Sequence, residues 1–287
     1  MSDQQNLAKN SLKALLRHSA LPRNEARILL AYILEKYYQL PRSALLSRDD
    51  MPLKESAYQA WKEVEQRRIN GEPIAYILGR KGFHAIELMV APGVLIPRPE
   101  TELLVEIALA EIGKLNRQCQ ILDLGTGSGA IALAIANAFP QSSVVATDQS
   151  SEALAIAKMN AQNLHLENRV QFCQGDWYDA LTQPLEFDVI VSNPPYIADL
   201  DPHLTKGDLR FEPVSALTDH ASGLSCLETI IWGAKQHLRP SALIAVEHGF
   251  DQSDAVVSLM NLADLKDIQV HQDLSGHKRV VSARKVI

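Results

Sequence analysis

The sequence predicts an α/β fold with a mostly parallel seven-stranded sheet. From Glu100 to the end of the chain, short apolar stretches alternate with segments of helical length. The apolar stretches are nearly continuous, which is typical of strands buried on both faces of a parallel sheet. The tail contains two further strands, at 267–271 and 279–284, for which we expect a closing antiparallel hairpin.

The first seventy residues are expected to form a small helical bundle. Apolar residues recur at helical spacing in three segments, 7–19, 24–38 and 54–69. Asn24 is the expected N-cap of the second helix, and Asn70-Gly71 supplies a left-handed C-cap for the third. Because such short helices are unstable alone, they should pack together. We therefore predict an N-terminal domain over residues 1–75, either a simple scaffold or a substrate-docking module.

A change of pattern follows the bundle. Over residues 72–98, short apolar stretches are separated by Gly79, Gly82 and Gly93. This punctuation favours a β-hairpin linker, which we place at 76–98. Residues 99–287 then form the α/β domain. Its remaining strands are predicted at 120–124, 143–147, 170–173, 187–191 and 242–247. Its helices are predicted at 100–114, 129–139, 151–162, 224–238 and 253–262.

Composition narrows the class of protein. The 287 residues are 46% hydrophobic and 22% charged, which excludes global disorder and a collagen-like chain.

No apolar run reaches about 18 residues, and the first residues lack a basic segment followed by an apolar one, so neither a membrane span nor a secretory signal is expected. Cys119, Cys173 and Cys226 are scattered without a C-x-x-C pair, and the histidines lack ligand spacing. We expect a cytoplasmic protein with no metal, acting as a monomer.

Charge is unevenly distributed along the chain. Residues 1–80 carry 13 Lys and Arg against 9 Asp and Glu, whereas the remainder carries 15 against 25. An acidic α/β domain is a poor match for a phosphate backbone, so direct binding of nucleic acid is not expected. The basic excess of the first part is small and is also typical of an ordinary helical surface.

The first candidate site is the turn after the first strand of the α/β domain. It comprises Gly125, Thr126, Gly127, Ser128 and Gly129. Glycines allow a sharp turn and close approach of a ligand, and the following helix offers free N–H groups. Asp148, at the end of the next strand, is placed to bind both ribose hydroxyls. The G-x-G-x-G spacing meets neither the dinucleotide fingerprint nor the P-loop, which disfavours a nicotinamide-dependent oxidoreductase.

A second candidate site follows the third strand. Trp177 could cover an adenine ring, and Asp176 could accept a hydrogen bond from its amino group. Burial of Trp177 as a core aromatic explains the same residue equally well.

The most specific pattern is Ser192-Asn193-Pro194-Pro195-Tyr196, after the fourth strand. Two prolines restrict the backbone and remove two donors, leaving the Asn193 amide oxygen and the Pro194 carbonyl as acceptors. A planar –NH2 group has two protons for such a pair of acceptors. Tyr196 supplies a flat face for stacking. A rigid surface turn would require neither the asparagine nor the tyrosine.

Together these motifs resemble the S-adenosylmethionine-dependent, Rossmann-like class I methyltransferases that modify planar amino groups. Further segments resemble the release-factor glutamine methyltransferase family: GEPIAYILG at 71–79, LIPRPETE at 95–102, DPHL at 201–204, RFEP at 210–213 and EHG at 247–249. The resemblance covers nearly the whole chain. It implies methyl transfer to the side-chain amide nitrogen of the glutamine in the Gly-Gly-Gln motif of class I peptide-chain release factors, with S-adenosylhomocysteine as product.

The resemblance also implies residue roles. Gly125 to Gly129 would line the methionine part of S-adenosylmethionine, Asp148 would hold the ribose, and Trp177 the adenine side. The glutamine would be held by Asn193, Pro194, Pro195 and Tyr196, with Asn193, Pro194 and Tyr196 as the catalytic group. Arg98 and Glu100 would help to shape the site. No general base is evident; Asp176 and Glu247 are the acidic candidates, and loss of the proton after transfer is the simpler hypothesis.

Two alternatives remain open. A nucleic-acid adenine or guanine amino-methyltransferase would also present acceptors to a planar –NH2 group. A non-catalytic nucleoside-binding or translation-assembly protein would keep the cofactor pocket, but would have no need of Asn193 and Tyr196.

Overall fold

A computed structural model describes residues 10–286, and the chain divides after Gly79 into two compact units. The first unit is helical and packs its apolar faces around the buried Trp61. Its helices are α1 Leu12–His18, α2 Arg23–Tyr38, α3 Ala44–Ser47, α4 Glu55–Ile69 and α5 Ile74–Leu78. The start of the first predicted helix, at residue 7, lies outside the described residues.

Two details of this unit differ from the prediction. Pro22, not Asn24, precedes α2 as its N-cap, so Asn24 lies in the first turn. Pro22 has a φ of −50° and a ψ of 140°, and its carbonyl accepts from the N–H of Ala26 at 3.0 Å. The helix α5 was not predicted, and it crosses the expected domain boundary at residue 75. The left-handed turn after α4 is present at Gly71, where φ is 95°.

The second unit opens with a small antiparallel hairpin, β1 Arg80–Phe83 and β2 Ile86–Met89. A seven-stranded sheet follows, with helices between its parallel strands. The strands are β3 Gln120–Leu124, β4 Ser143–Asp148, β5 Val170–Gln174, β6 Phe187–Ser192, β7 Leu238–Glu247, β8 Lys266–Gln272 and β9 Lys278–Arg284. The helices are α6 Glu102–Leu115, α7 Ala130–Ala138, α8 Ser151–Asn163, α9 Ser225–His237 and α10 Ser253–Leu262.

The order of the strands across the sheet is β5-β4-β3-β6-β7-β9-β8. All pairs are parallel except β7 with β9 and β9 with β8. The predicted fold class, a mostly parallel sheet with an antiparallel C-terminal hairpin, is therefore confirmed. From β3 the chain moves first to one side and later to the other, which creates a switch point between β3 and β6. Ligands of open α/β sheets bind at such a crevice.

Strand β7 begins four residues before its predicted start at residue 242. Its pairing with β6 shifts register between Phe187 and Val189, and Ser241 has a positive φ of 63°. The irregularity admits Pro240 into a strand that would otherwise exclude it. The outermost strand, β8, is mostly exposed and has two register irregularities against β9. Within residues 10–286, no helix combines the length and apolarity needed to cross a membrane.

Candidate functional site

A cavity of about 470 Å³ opens at the carboxyl ends of the parallel strands, within the second unit. Residues that follow β3, β4, β5 and β6 all reach it, as the switch point predicts. Most of the predicted site residues line it: Gly125, Thr126, Gly127, Ser128, Asp148, Asp176, Trp177, Asn193 and Pro195. Residues from the three predicted motifs therefore line the same cavity.

The turn 125–129, here called the glycine loop, is organised by two carboxyl groups. Asp148 accepts hydrogen bonds from the backbone N–H groups of Gly127 (2.8 Å) and Ser150 (2.9 Å). Burial raises the pKa of Asp148, although both backbone bonds oppose the shift. Each carboxylate oxygen retains a second lone pair, so Asp148 can still accept from a ligand hydroxyl.

Asp123 is the second carboxyl group that holds the glycine loop. Its Oδ2 accepts from the Thr126 hydroxyl (2.7 Å) and from the N–H of Ala132 (3.2 Å), in the first turn of α7. Burial raises the pKa of Asp123 to about 7. Its Oδ1 has no hydrogen-bond partner among the described residues. Sequence reasoning missed this role, although an acid just before the glycines was visible.

The Trp177 ring lies directly over Gly125. A Cβ on Gly125 would stand 3.2 Å from the ring, and Gly125 has a φ of 74°. Trp177 packs against the apolar core and also lines the cavity, and its covering of an adenine ring stays a prediction. Cys226 lines the same cavity.

Asn193 enters the cavity in one defined orientation. Its Nδ2 donates to the Thr101 hydroxyl oxygen at 3.0 Å. Among the described residues, no group donates a hydrogen bond to its Oδ1, and that oxygen is not one of the fully buried atoms that lack a partner. The amide oxygen is therefore the part of Asn193 that is available to a ligand.

The rest of the segment 193–196, here called the proline loop, is held by distant elements. The Tyr196 hydroxyl donates to Glu247 Oε1 (3.1 Å), and the Tyr196 carbonyl accepts from Gln252 Nε2 (2.9 Å). Burial is the main cause that raises the pKa of Glu247 to about 7, and it also raises the pKa of Tyr196. A Cβ on Gly223 would stand 2.4 Å from the same carbonyl, so the loop is also packed from that side.

Not every predicted residue faces the cavity. Gly129, Pro194, Tyr196 and Glu100 are not among its lining residues. Gly129, the last residue of the glycine loop, instead packs against α7, where a Cβ would stand 2.9 Å from the Leu133 side chain. The Tyr196 hydroxyl donates to Glu247, which is also not among the lining residues.

Arg98 lines the cavity but is paired with the buried Glu212, whose Oε2 also accepts from the N–H of Ile96 (3.0 Å). The remaining wall comes from Pro213, Ser215, Ala216, Thr218, Asp219 and His220. Sequence reasoning missed Thr101, Gln252 and this wall. Glu247, named from the sequence as an acidic candidate, follows Val246, which pairs with Ser192 in the sheet.

Within the part of the chain that the structure describes, no three His, Cys, Asp or Glu side chains come together as a metal site.

Comparisons with known proteins agree with this geometry. Residues 99–208 match the family model described as Methyltransferase small domain, and residues 8–79 match the model described as PrmC N-terminal domain. The release factor glutamine methyltransferase of Bordetella pertussis is 46% identical over 269 residues, covering 94% of this chain and 97% of the relative. That of Burkholderia pseudomallei is 45% identical over 274 residues, covering 94% of each. A methyltransferase structure from Pyrococcus furiosus, 17% identical, shares the fold with a TM-score of 0.55, covering 79% of this chain and 100% of that one.

Proposed function

This chain belongs to the release factor glutamine methyltransferase family, and on that premise we propose that it transfers a methyl group from S-adenosylmethionine to the side-chain amide nitrogen (N5) of the glutamine in the Gly-Gly-Gln motif of class I release factors. The modification supports translation termination. The observation that carries the proposal is the Asn193 amide, whose oxygen is free while its nitrogen is bound to Thr101.

The cavity fits S-adenosylmethionine as methyl donor, with S-adenosylhomocysteine as product. Its volume, about 470 Å³, lies in the range of cofactor sites. Gly125, Thr126, Gly127, Ser128 and Gly129 would form the turn around the methionine part, where the first N–H groups of α7 have no partner within the helix. Asp148 would accept from the ribose hydroxyls, and Trp177 would cover the adenine.

The proline loop would hold the glutamine. Asn193 Oδ1 and the Pro194 carbonyl offer two acceptors, and Pro195 and Tyr196 would complete the binding surface. Nothing among the described residues donates to the Pro194 carbonyl. These two acceptors would take the two N–H protons of the glutamine side chain and so orient its nitrogen.

An amide nitrogen is a weak nucleophile because its lone pair is delocalised. S-Adenosylmethionine supplies a strongly electrophilic methyl group on a sulfonium. The residues would therefore act chiefly by positioning, and the acceptors Asn193 and Pro194 would stabilise positive charge that develops on the –NH2 group. Glu247 does not line the cavity, and Asp176, which does, is exposed to solvent, so loss of the proton to solvent after transfer is the simpler proposal.

The domains would divide the work. We assign residues 1–75 to docking of the release factor, 76–98 to the linker and 99–287 to methyl transfer. The match of residues 8–79 to a family-specific N-terminal model supports a role tied to this substrate. The enzyme would act as a monomer in the cytoplasm, without direct contact with nucleic acid.

The leading alternative is methylation of an adenine or guanine amino group, which also presents a planar –NH2. The acidic charge of the second part of the chain opposes it, since nucleic-acid binding requires clustered Lys and Arg. The names of the relatives also favour a protein substrate.

The test is to incubate the purified protein with radiolabelled S-adenosylmethionine and one of three acceptors. These are a class I release factor, its Gly-Gly-Gln variant with Gln→Ala, and mixed DNA and RNA. We expect label on the release factor and none on its variant. Label on nucleic acid alone would replace this proposal with the alternative, and label on the Gln→Ala variant would place the methyl group elsewhere.

A further inference from the structure

The Thr101 hydroxyl contacts a side chain of the proline loop. Thr101 has a helical conformation (φ −68°, ψ −18°) where a 3₁₀ turn over Pro99–Thr101 leads into α6. Its hydroxyl does not cap the helix, and its oxygen accepts from Asn193 Nδ2 at 3.0 Å. Thr101 is 4% exposed and lines the cavity.

The buried Glu247 holds a different part of the proline loop. It is 1% exposed, and its Oε1 accepts from the Tyr196 hydroxyl at 3.1 Å. The contact that orients the Asn193 amide is therefore the one with Thr101.

The contact with Thr101 gives the Asn193 amide its direction. Because Nδ2 donates to the Thr101 hydroxyl oxygen, Asn193 presents its –NH2 group to Thr101 and its oxygen to the cavity. The flipped amide would offer donors to a substrate group that itself donates.

We propose that Thr101 is a positioning residue that holds the Asn193 amide with its oxygen toward the cavity. This inference rests on the proposed function for its consequence in catalysis, but the orientation of the amide can be measured without any substrate. Thr101 acts through Asn193 and touches no reacting atom.

The kinetic test compares Thr101→Val, which keeps the shape and removes the hydroxyl, with Thr101→Ser, which keeps it. For Thr101→Val we expect kcat on the release factor to fall about 10- to 100-fold, since a polar partner is lost. The Kd for S-adenosylmethionine should stay within about twofold, because Thr101 carries none of the contacts of the glycine loop. Thr101→Ser should restore kcat to within about threefold of the wild type.

The matched control is Thr229→Val, in an exposed part of α9, where the lost hydroxyl donates only to the Ser225 carbonyl (3.0 Å). Its kcat should equal that of the wild type. Equal activity of Thr101→Val and the wild type would overturn the inference. Failure of Thr101→Ser to rescue, or a loss of cofactor affinity as large as the loss of kcat, would show a merely structural role and would also overturn it. Thr101→Ala serves the same comparison should the valine variant fail to fold.

The substrate-free test follows the Asn193 side-chain amide by NMR after selective ¹⁵N-asparagine labelling. Its signal is assigned by its absence from Asn193→Asp. We expect one proton of the pair to be shifted downfield and protected from exchange in the wild type and Thr101→Ser, and to lose both properties in Thr101→Val. An unchanged amide signal in Thr101→Val would refute the inference. Should the wild type fail to label the release factor, the proposed function would fall while this signal still decides the orientation.

Discussion

The glycine loop and the proline loop face one cavity, and each is backed by a buried carboxyl group. Burial raises the pKa of Asp123 and of Glu247 to about 7, and one oxygen of each has no partner among the described residues. The loops differ in how far away their contacts arise along the chain. Asp148 and Gly127 are 21 residues apart, whereas Asn193 is 92 from Thr101 and Tyr196 is 56 from Gln252.

This contrast separates two ways of building a binding loop. The glycine loop presents backbone N–H groups, and the two carboxyl groups that hold it, Asp123 and Asp148, lie within one strand–helix–strand unit. The proline loop presents acceptors, and its orientation depends on side chains from α6, β7 and the start of α10. We therefore expect the first loop to govern cofactor affinity and the second to govern turnover.

The largest effect is expected at the proline loop. Asn193→Ala removes the acceptor proposed to orient the glutamine, and kcat should fall about 10²- to 10³-fold, as for loss of one preorganised electrostatic contact. The Kd for S-adenosylmethionine, measured by calorimetry, should change little. Asn261→Ala, which removes an exposed amide bonded only to the Val257 carbonyl, is the control and should leave both constants unchanged. A loss of cofactor affinity as large as the loss of kcat would contradict the assignment of cofactor affinity to the glycine loop and of turnover to the proline loop.

The carboxyl group behind the proline loop should be visible in the pH dependence of stability. Because its pKa is raised from 4.5 to about 7, the folded protein retains a proton on Glu247 that the unfolded chain releases. Its contribution to stability is therefore lost progressively as pH rises through that interval. Relative to wild type, Glu247→Gln should gain on the order of 3 kcal/mol in unfolding free energy between pH 4.5 and 8.

Urea unfolding at several pH values measures this gain, and exposed Glu228→Gln controls for the loss of one charge. Asp123→Asn should show the same gain in unfolding free energy as pH rises, because burial also raises the pKa of Asp123 behind the glycine loop. Parallel curves for Glu247→Gln and the wild type would contradict a raised pKa at Glu247.

An intermediate effect is expected at the glycine loop. Asp148→Asn turns an N–H group toward one of the two backbone N–H donors and weakens acceptance from the ribose. The Kd for S-adenosylmethionine should rise about 10- to 100-fold, as for loss of charge-assisted hydrogen bonds. At saturating cofactor, kcat should remain near the wild-type value. A variant that binds the cofactor normally but turns over slowly would reverse the assignment; exposed Asp179→Asn is the control.

The smallest effect concerns stability alone. Gly129→Ala places a Cβ 2.9 Å from the Leu133 side chain at a φ of 86°, and it should cost about 1–2 kcal/mol of unfolding free energy. Gly82→Ala, where a Cβ meets nothing within 4 Å, should be close to neutral in the same urea titration. Equal stability of the two variants would mean that the turn relaxes without cost.

The same contrast explains what could be predicted from the sequence. The strands of the parallel sheet and the glycine loop follow from patterns within a few dozen residues. Thr101 and Gln252 could not be foreseen, because their roles exist only once distant strands and helices are in register. Strand β7 was predicted too short because the predicted preceding helix extends through residue 238 and the predicted strand begins after Pro240. The register shift between β6 and β7 shows how the strand accommodates that proline.

The helix α5 illustrates a different limit. Its sequence, Ile-Ala-Tyr-Ile-Leu, is a short apolar run rich in residues that favour strands, and periodicity cannot separate helix from strand at that length. The adjacent Gly79, with a φ of 70°, ends the helix and was interpreted as hairpin punctuation. The local sequence pattern thus identified the chain break at Gly79 correctly, but it did not identify the helix before that glycine.

The irregular outer strand β8 bears on how this molecule behaves at high concentration. An edge strand with regular, unpaired backbone groups is a template for a second sheet, and the two register irregularities against β9 make β8 a poor one. Its exposed Lys266 and Asp267 add charge along the same edge. Self-association through strand addition is therefore disfavoured at this side of the sheet, and straightening β8 by removing an irregularity would create an aggregation-prone surface.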